Sequence, residues 1–217
     1  MLQTTLDTGL EQLGLDLPAS ARQKLLDYVA LIAKWNQVHN LTAIREPAKM
    51  VTHHLLDSLA VIAPLRRHLA QIRKTTGVRL LDVGSGAGLP GVVVAVCCPE
   101  LAVSCVDTVG KKAAFVQQVA VGLKLPNLRG IHARVENLTE HYDVVVARAF
   151  ASLVDFTRLS MGALAPDGVW MAMKGKPTED EMAALPAEIR VFHVEPLYIP
   201  GLDAQRCLVW MRRQAAV

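Results

Sequence analysis

Hydrophobic positions divide the chain into two regimes near residue 77. In the first, apolar side chains recur every three to four residues, the spacing that lines one face of a helix. Leu6, Leu10 and Leu13 mark a short first helix that ends near Gly14. Pro18, Ala19 and Ser20 open a longer one, whose stripe is Ala21, Leu25, Tyr28, Val29, Ile32 and Trp35. A third helix is expected to start at Pro47, because a fixed φ suits a first helical turn. It carries Met50, His54, Leu55 and Leu59 and runs on towards Leu65.

Beyond residue 77, short apolar runs alternate with amphipathic ones. Strands are expected at 79–83, 102–107, 128–133, 143–149 and 169–174, and helices at 90–98, 111–123 and 152–164. Two late strands, 190–195 and 206–212, have no clear helix between them. Strand–helix alternation predicts a mostly parallel sheet covered on both faces, and the last pair suits a terminal antiparallel hairpin. The expected architecture is therefore α/β and Rossmann-like. A seven-stranded domain, 77–217, follows an N-terminal helical extension, 1–76.

Composition changes this picture little. With 217 residues and 52% hydrophobic content, the chain can bury a sizeable core. Its longest apolar run, 92–98, is far short of the ~20 residues that span a bilayer, and no basic-then-apolar leader opens it. No membrane partner is expected. Cys97, Cys98, Cys105 and Cys207 form no Cys-x-x-Cys pair, so the expectation is buried reduced thiols, no metal site and a cytoplasmic location. The net charge of +3 lies in the extension: residues 1–76 hold 9 Lys+Arg against 6 Asp+Glu, and 77–217 hold 14 of each. That bias is compatible with RNA contact and equally with an ordinary solvated helical surface.

The chemistry begins where the first strand ends. Asp82 leads into the loop Gly84, Ser85, Gly86, Ala87 and Gly88. Parallel sheets bind ligands at the carboxyl ends of their strands, and glycines there allow close backbone approach. The stretch 86–91 also satisfies the Gly-x-Gly-x-x-Gly pattern of dinucleotide sites, so the loop alone leaves NAD open. Two features favour S-adenosylmethionine. The Asp82 carboxylate can attract a cationic ammonium, directly or through water, but would repel a pyrophosphate. Leu89 and Pro90 are bulky where a pyrophosphate needs close approach. Asp107 ends the second strand, where a carboxylate can accept from both ribose hydroxyls; a helix N-cap is the competing reading. Val135 and Glu136 follow the third strand, where an adenine would lie, and a plain surface loop is the alternative there. Arg148 ends the fourth strand, facing either the cleft or the sheet end.

Several motifs together resemble the glucose-inhibited division protein B family. They are Asp82-Val-Gly-Ser-Gly-Ala-Gly-Leu-Pro-Gly91, Arg148-Ala-Phe-Ala-Ser152 and Met173-Lys-Gly175. The extension adds Trp35-Asn-Gln-Val-His-Asn-Leu-Thr42 and His54-Leu-Leu-Asp-Ser58. The resemblance runs from about residue 20 to 212. It implies a class I methyltransferase fold, S-adenosylmethionine as cofactor, and a guanine N7 in the 530 loop of 16S rRNA as target. It implies cofactor contacts from Gly84, Leu89, Val135, Glu136 and Arg148, with Asp107, Thr108 and Val109 along ribose and adenine. The partner would be 16S rRNA, in the small subunit or an assembly intermediate, met by a monomer. Two departures stand out. Leu89 replaces a frequent aromatic, and Cys207 stands where the family often has histidine, which removes any imidazole role there. Guanine N7 carries a free lone pair and no proton, so no catalytic base is assigned. Asn40, His54 and Lys174 are the candidate substrate-side residues. A helix C-cap competes for Asn40, and a satisfied core histidine competes for His54.

Overall fold

The computed structural model describes residues 1–72, 77–150, 152–175 and 179–214. Ala151 of the 148–152 motif, the residues just before the expected boundary at 77, and the last three residues of the expected 77–217 domain lie outside them.

The first helices are α1 (Leu2–Gln12) and α2 (Ala19–His39). The single third helix expected from Pro47 is instead a chain of pieces. α3 (Pro47–Met50) passes into a π-helical turn (Val51–Leu56), then α4 (Asp57–Leu59), and after a turn α5 (Ile62–Gln71). Pro64 explains the last break. A continuous helix would need its N–H to reach the Ala60 carbonyl, and proline has none.

The sheet holds β1 (Arg79–Val83), β2 (Ala102–Asp107), β3 (Leu128–His132), β4 (Tyr142–Arg148), β5 (Leu164–Lys174), β6 (Ile189–Leu197) and β7 (Arg206–Arg213). Helices α6 (Gly91–Cys97), α7 (Gly110–Gly122) and α8 (Leu153–Ser160) connect its parallel part, and the short α9 (Glu179–Ala183) precedes β6. Strand order is β3-β2-β1-β4-β5-β7-β6, with β7 antiparallel to both neighbours. The seven-stranded, mostly parallel arrangement and the terminal hairpin match expectation. α8 stops sooner than the predicted 164, and β5 begins there. The Ser152 hydroxyl caps α8 by accepting the Asp155 N–H at 3.0 Å.

Central strands bury both faces, which is why they are near-continuous apolar runs. In β4, Val144 and Val146 join one core while Val145 and Ala147 join the other. The first core also contains Leu6, Leu10, Leu25, Ile32, Leu55 and Leu65. The helical extension is thus packed into the same hydrophobic cluster as one face of the sheet.

Candidate functional site

Strand order reverses at β1, between β2 and β4, so the carboxyl end of β1 opens a crevice. The glycine loop fills that point and is held from four sides. The Gly84 and Ser85 N–H groups donate to the Val106 carbonyl at 2.9 and 3.3 Å. The Gly86 N–H donates to Asp107 Oδ2 at 3.0 Å. The Tyr28 hydroxyl, from α2, donates to the Ala87 carbonyl at 2.5 Å. The Gly91 N–H, at the start of α6, donates to Asp82 Oδ2 at 2.7 Å. Gly84 adopts φ +65°, and an added Cβ would stand 3.9 Å from the Phe150 ring, narrowing a cavity that both residues line.

That cavity has a volume of about 470 Å³. It brings together Gly84, Asp107, Thr108, Val109, Val135, Glu136 and Arg148 from the loop and three strand ends. Lys112 and Phe150 also line it, and the sequence alone does not single them out as cofactor contacts. Asp107 is both anchor and wall: besides Gly86, it accepts the Val109 N–H at 2.8 Å. Each of its oxygens retains a lone pair for a further donor. Ser85, Gly86, Gly88 and Leu89 shape the loop but do not line the cavity; Leu89 belongs to the core.

Asp82 also lies off the cavity wall. It is fully buried against α6, and its Oδ1 has no partner. Burial pushes its pKa up to about 7, opposed by the Gly91 N–H and the nearby Arg148 cation.

A second cavity of about 470 Å³ lies across the wall formed by residues 148–150. Ala149 in that wall has φ +58°, a strained conformation for a residue with a Cβ. His54 and Lys174 line this second space, with His53, Asp57 and Arg206. Asp57 is 3% exposed and bridges two cations: Oδ2 accepts Arg148 Nη1 and Oδ1 accepts Arg206 Nε, both at 3.1 Å. Lys174 is engaged by Glu181 at 2.7 Å. His54 Nε2 lies 2.9 Å from the Thr42 hydroxyl, and Nδ1 is buried without a partner. Burial, reinforced by Arg148, lowers the His54 pKa to about 4, so its imidazole is neutral at pH 7.

Asn40 is not brought to either cavity. It is exposed and ends α2 in the left-handed conformation, φ 47°. Asn36, one turn earlier, organises this turn instead. Its side chain donates to the Ile44 carbonyl and accepts the Thr42 N–H, setting Thr42 against His54. Asp57 belongs to the motif His54-Leu-Leu-Asp-Ser58, but nothing in its local sequence signals two arginine partners 91 and 149 residues away.

Among solved structures, an S-adenosylmethionine-dependent methyltransferase from Aquifex aeolicus shares the fold with a TM-score of 0.51 at 16% identity, covering 76% of this chain and 98% of that one. Reversed β7 and the crevice beyond β1 define the class I methyltransferase fold. Two relatives carry the identification further. Ribosomal RNA small subunit methyltransferase G of Polaromonas naphthalenivorans is 62% identical over 211 residues, 97% of this chain and 96% of its own. The protein of the same description from Albidiferax ferrireducens is 64% identical over 220 residues, 99% and 98% of the two chains. A match to the rRNA small subunit methyltransferase G family spans residues 21–209. The chain belongs to that family: it is an rRNA methyltransferase, and its cofactor is S-adenosylmethionine.

Proposed function

We propose that this chain methylates N7 of a guanine in the 530 loop of 16S rRNA. The observation that carries this reading is the pair of cavities sharing the wall at residues 148–150. One suits a nucleoside cofactor and the other a base presented beside it. Gly84, Asp107, Thr108, Val109, Val135, Glu136 and Arg148 hold the cofactor. Asp82, Ser85, Gly86, Gly88 and Leu89 set the shape of the loop beneath it. When bound, S-adenosylmethionine supplies a methyl group activated by a sulfonium, the electrophile for an in-line attack by N7.

The residues around the second cavity fit a target that has no proton to lose. His54 is a weak base with a pKa of about 4, and its Nε2 faces Thr42. Both oxygens of Asp57 are occupied by arginines. Neither is poised as a general base, and N7 requires none. The protein's contribution is orientation, worth up to ~7–11 kcal/mol when reacting atoms are well aligned. Three cations (Arg148, Arg206, Lys174) face two carboxylates (Asp57, Glu181), which leaves one net positive charge to draw RNA in. His54 and Lys174 line the target's space, and Asn40 serves by ending α2 before Thr42. The extension, 1–76, and the catalytic domain, 77–217, act as one body. The enzyme works as a monomer in the cytoplasm, on the small subunit or an assembly intermediate.

The test uses small subunits from a strain lacking this enzyme, with tritiated cofactor and purified protein. Borohydride–aniline treatment cleaves rRNA at 7-methylguanosine. Label in 16S rRNA with new cleavage in the 530 loop is expected. Label without such cleavage would reject the N7 assignment.

A further inference from the structure

At the far end of the sheet from the cleft, β6 and β7 set Arg190 directly opposite Arg212. Like charges placed opposite each other destabilise a ladder, so this pairing works against the fold. Arg213 follows, and all three line a cavity of about 510 Å³ with Asp167 as its one acidic member. No carboxylate among the described residues lies within 4 Å of any of the three guanidinium groups. The local balance is three positive charges against one negative.

Two of these side chains are held in place. Arg213 Nη2 donates to the carbonyls of Met161 and Leu164, at 2.6 and 3.2 Å, and its Nε is buried without a partner. The Arg212 guanidinium stacks over the Phe192 ring, 5.2 Å from its centroid, and Phe192 is 37% exposed. A guanidinium held as that of Arg212 is loses little freedom when it meets an anion, and its planar N–H edge matches phosphate oxygens. Arg213, bonded inward, adds its charge from behind. β7 runs from Arg206 at the cleft to Arg212 here, six residues or about 20 Å at ~3.3 Å each. A folded rRNA substrate is wide enough to touch both ends.

We infer that Arg190 and Arg212, with the charge of Arg213 behind them, form a second rRNA contact, a backbone-phosphate site that anchors the substrate about 20 Å from the methyl-transfer cleft. This inference rests on the reading of the chain as an enzyme of 16S rRNA. The phosphates belong to RNA: the site has charge and planarity but no cavity wall specific for a base.

The test compares full-length wild type with the double variants R190A/R212A and R190K/R212K. Filter retention of labelled small subunits gives Kd as a function of salt, and methyl transfer gives kcat and KM. The alanine pair should raise Kd and KM about tenfold. It should leave kcat and S-adenosylmethionine affinity within twofold and lower the slope of log Kd against log salt by about one to two. The lysine pair should recover most of the binding. Thermal stability of the alanine pair should stay level or rise, since a like-charge pair is relieved. Wild-type Kd and salt slope in the alanine pair would overturn the inference. So would weaker binding with an unchanged slope, which points to a protein contact instead. If wild type fails to methylate subunits, the N7 reading falls, while the binding comparison still decides this one.

Discussion

Asp82 and Asp57 are both buried carboxylates, and their surroundings give them opposite tasks. Asp82 has one N–H partner and one bare oxygen, so burial dominates and lifts its pKa to about 7. Unfolded, the same group titrates near ~3.9. Between those values the folded chain holds a proton that the unfolded chain has released, so stability falls as pH rises through that window. Asp82→Asn should remove this slope. Melting curves from pH 4 to 8 should show wild type losing stability relative to the variant as pH increases; parallel curves would contradict the assignment. His54 works the other way, since its lowered pKa favours the fold above pH ~6.5 and loses that benefit as pH falls towards 4. Asp57, by contrast, is satisfied at both oxygens by charged donors. Breaking a fully buried pair costs about 3–5 kcal/mol, and the partly exposed arginines here reduce that to about 2–3 for Asp57→Ala. Urea unfolding measures the loss, and methyl transfer to subunits should fall more than tenfold. Asp82 was legible in the sequence because it adjoins a glycine loop with a recognisable spacing. Its burial, which turns it from the cavity towards α6, was not. Asp57 was illegible in role, because its partners come from β4 and β7.

Helices of the extension do more than flank the sheet. α2 passes over the glycine loop, and Tyr28 ties the loop to it through the Ala87 carbonyl. In sequence Tyr28 was one more apolar position in a helical stripe. Periodicity shows that a residue is buried, but not that its hydroxyl meets a backbone group 59 residues on. Tyr28→Phe should cost about 1 kcal/mol of stability. It should also weaken S-adenosylmethionine binding several-fold by calorimetry while leaving the Kd for subunits unchanged. Unaltered cofactor affinity would show that the loop keeps its shape without α2. The strands were easiest to read, since double-sided burial writes itself as runs of valine. The broken helix between residues 47 and 71 was hardest. Apolar spacing continues smoothly through the π turn at Val51–Leu56, and only Pro64 signals the second interruption.

At the scale of the whole molecule, the shared hydrophobic cluster means that neither half has a complete core. A fragment of residues 77–217 exposes the sheet face that α2 and the Leu55–Leu65 region cover. It should be insoluble, or collapsed without a cooperative melt, while the full chain unfolds in one transition. A fragment that melts cooperatively would show the halves to be independent. A single transition would make the boundary at residue 77 a change in pattern within one packed unit. The bridge at Asp57 has a consequence for how the enzyme comes into being. Asp57 is synthesised early, Arg148 91 residues later, and Arg206 149 residues later. At ~5–20 residues per second, about 7–30 s pass between the first and last members of that bridge. Throughout that interval the growing chain, still attached to a ribosome, lacks one arm of the bridge, and the cavity around Asp57 takes its form only after β7 has been made.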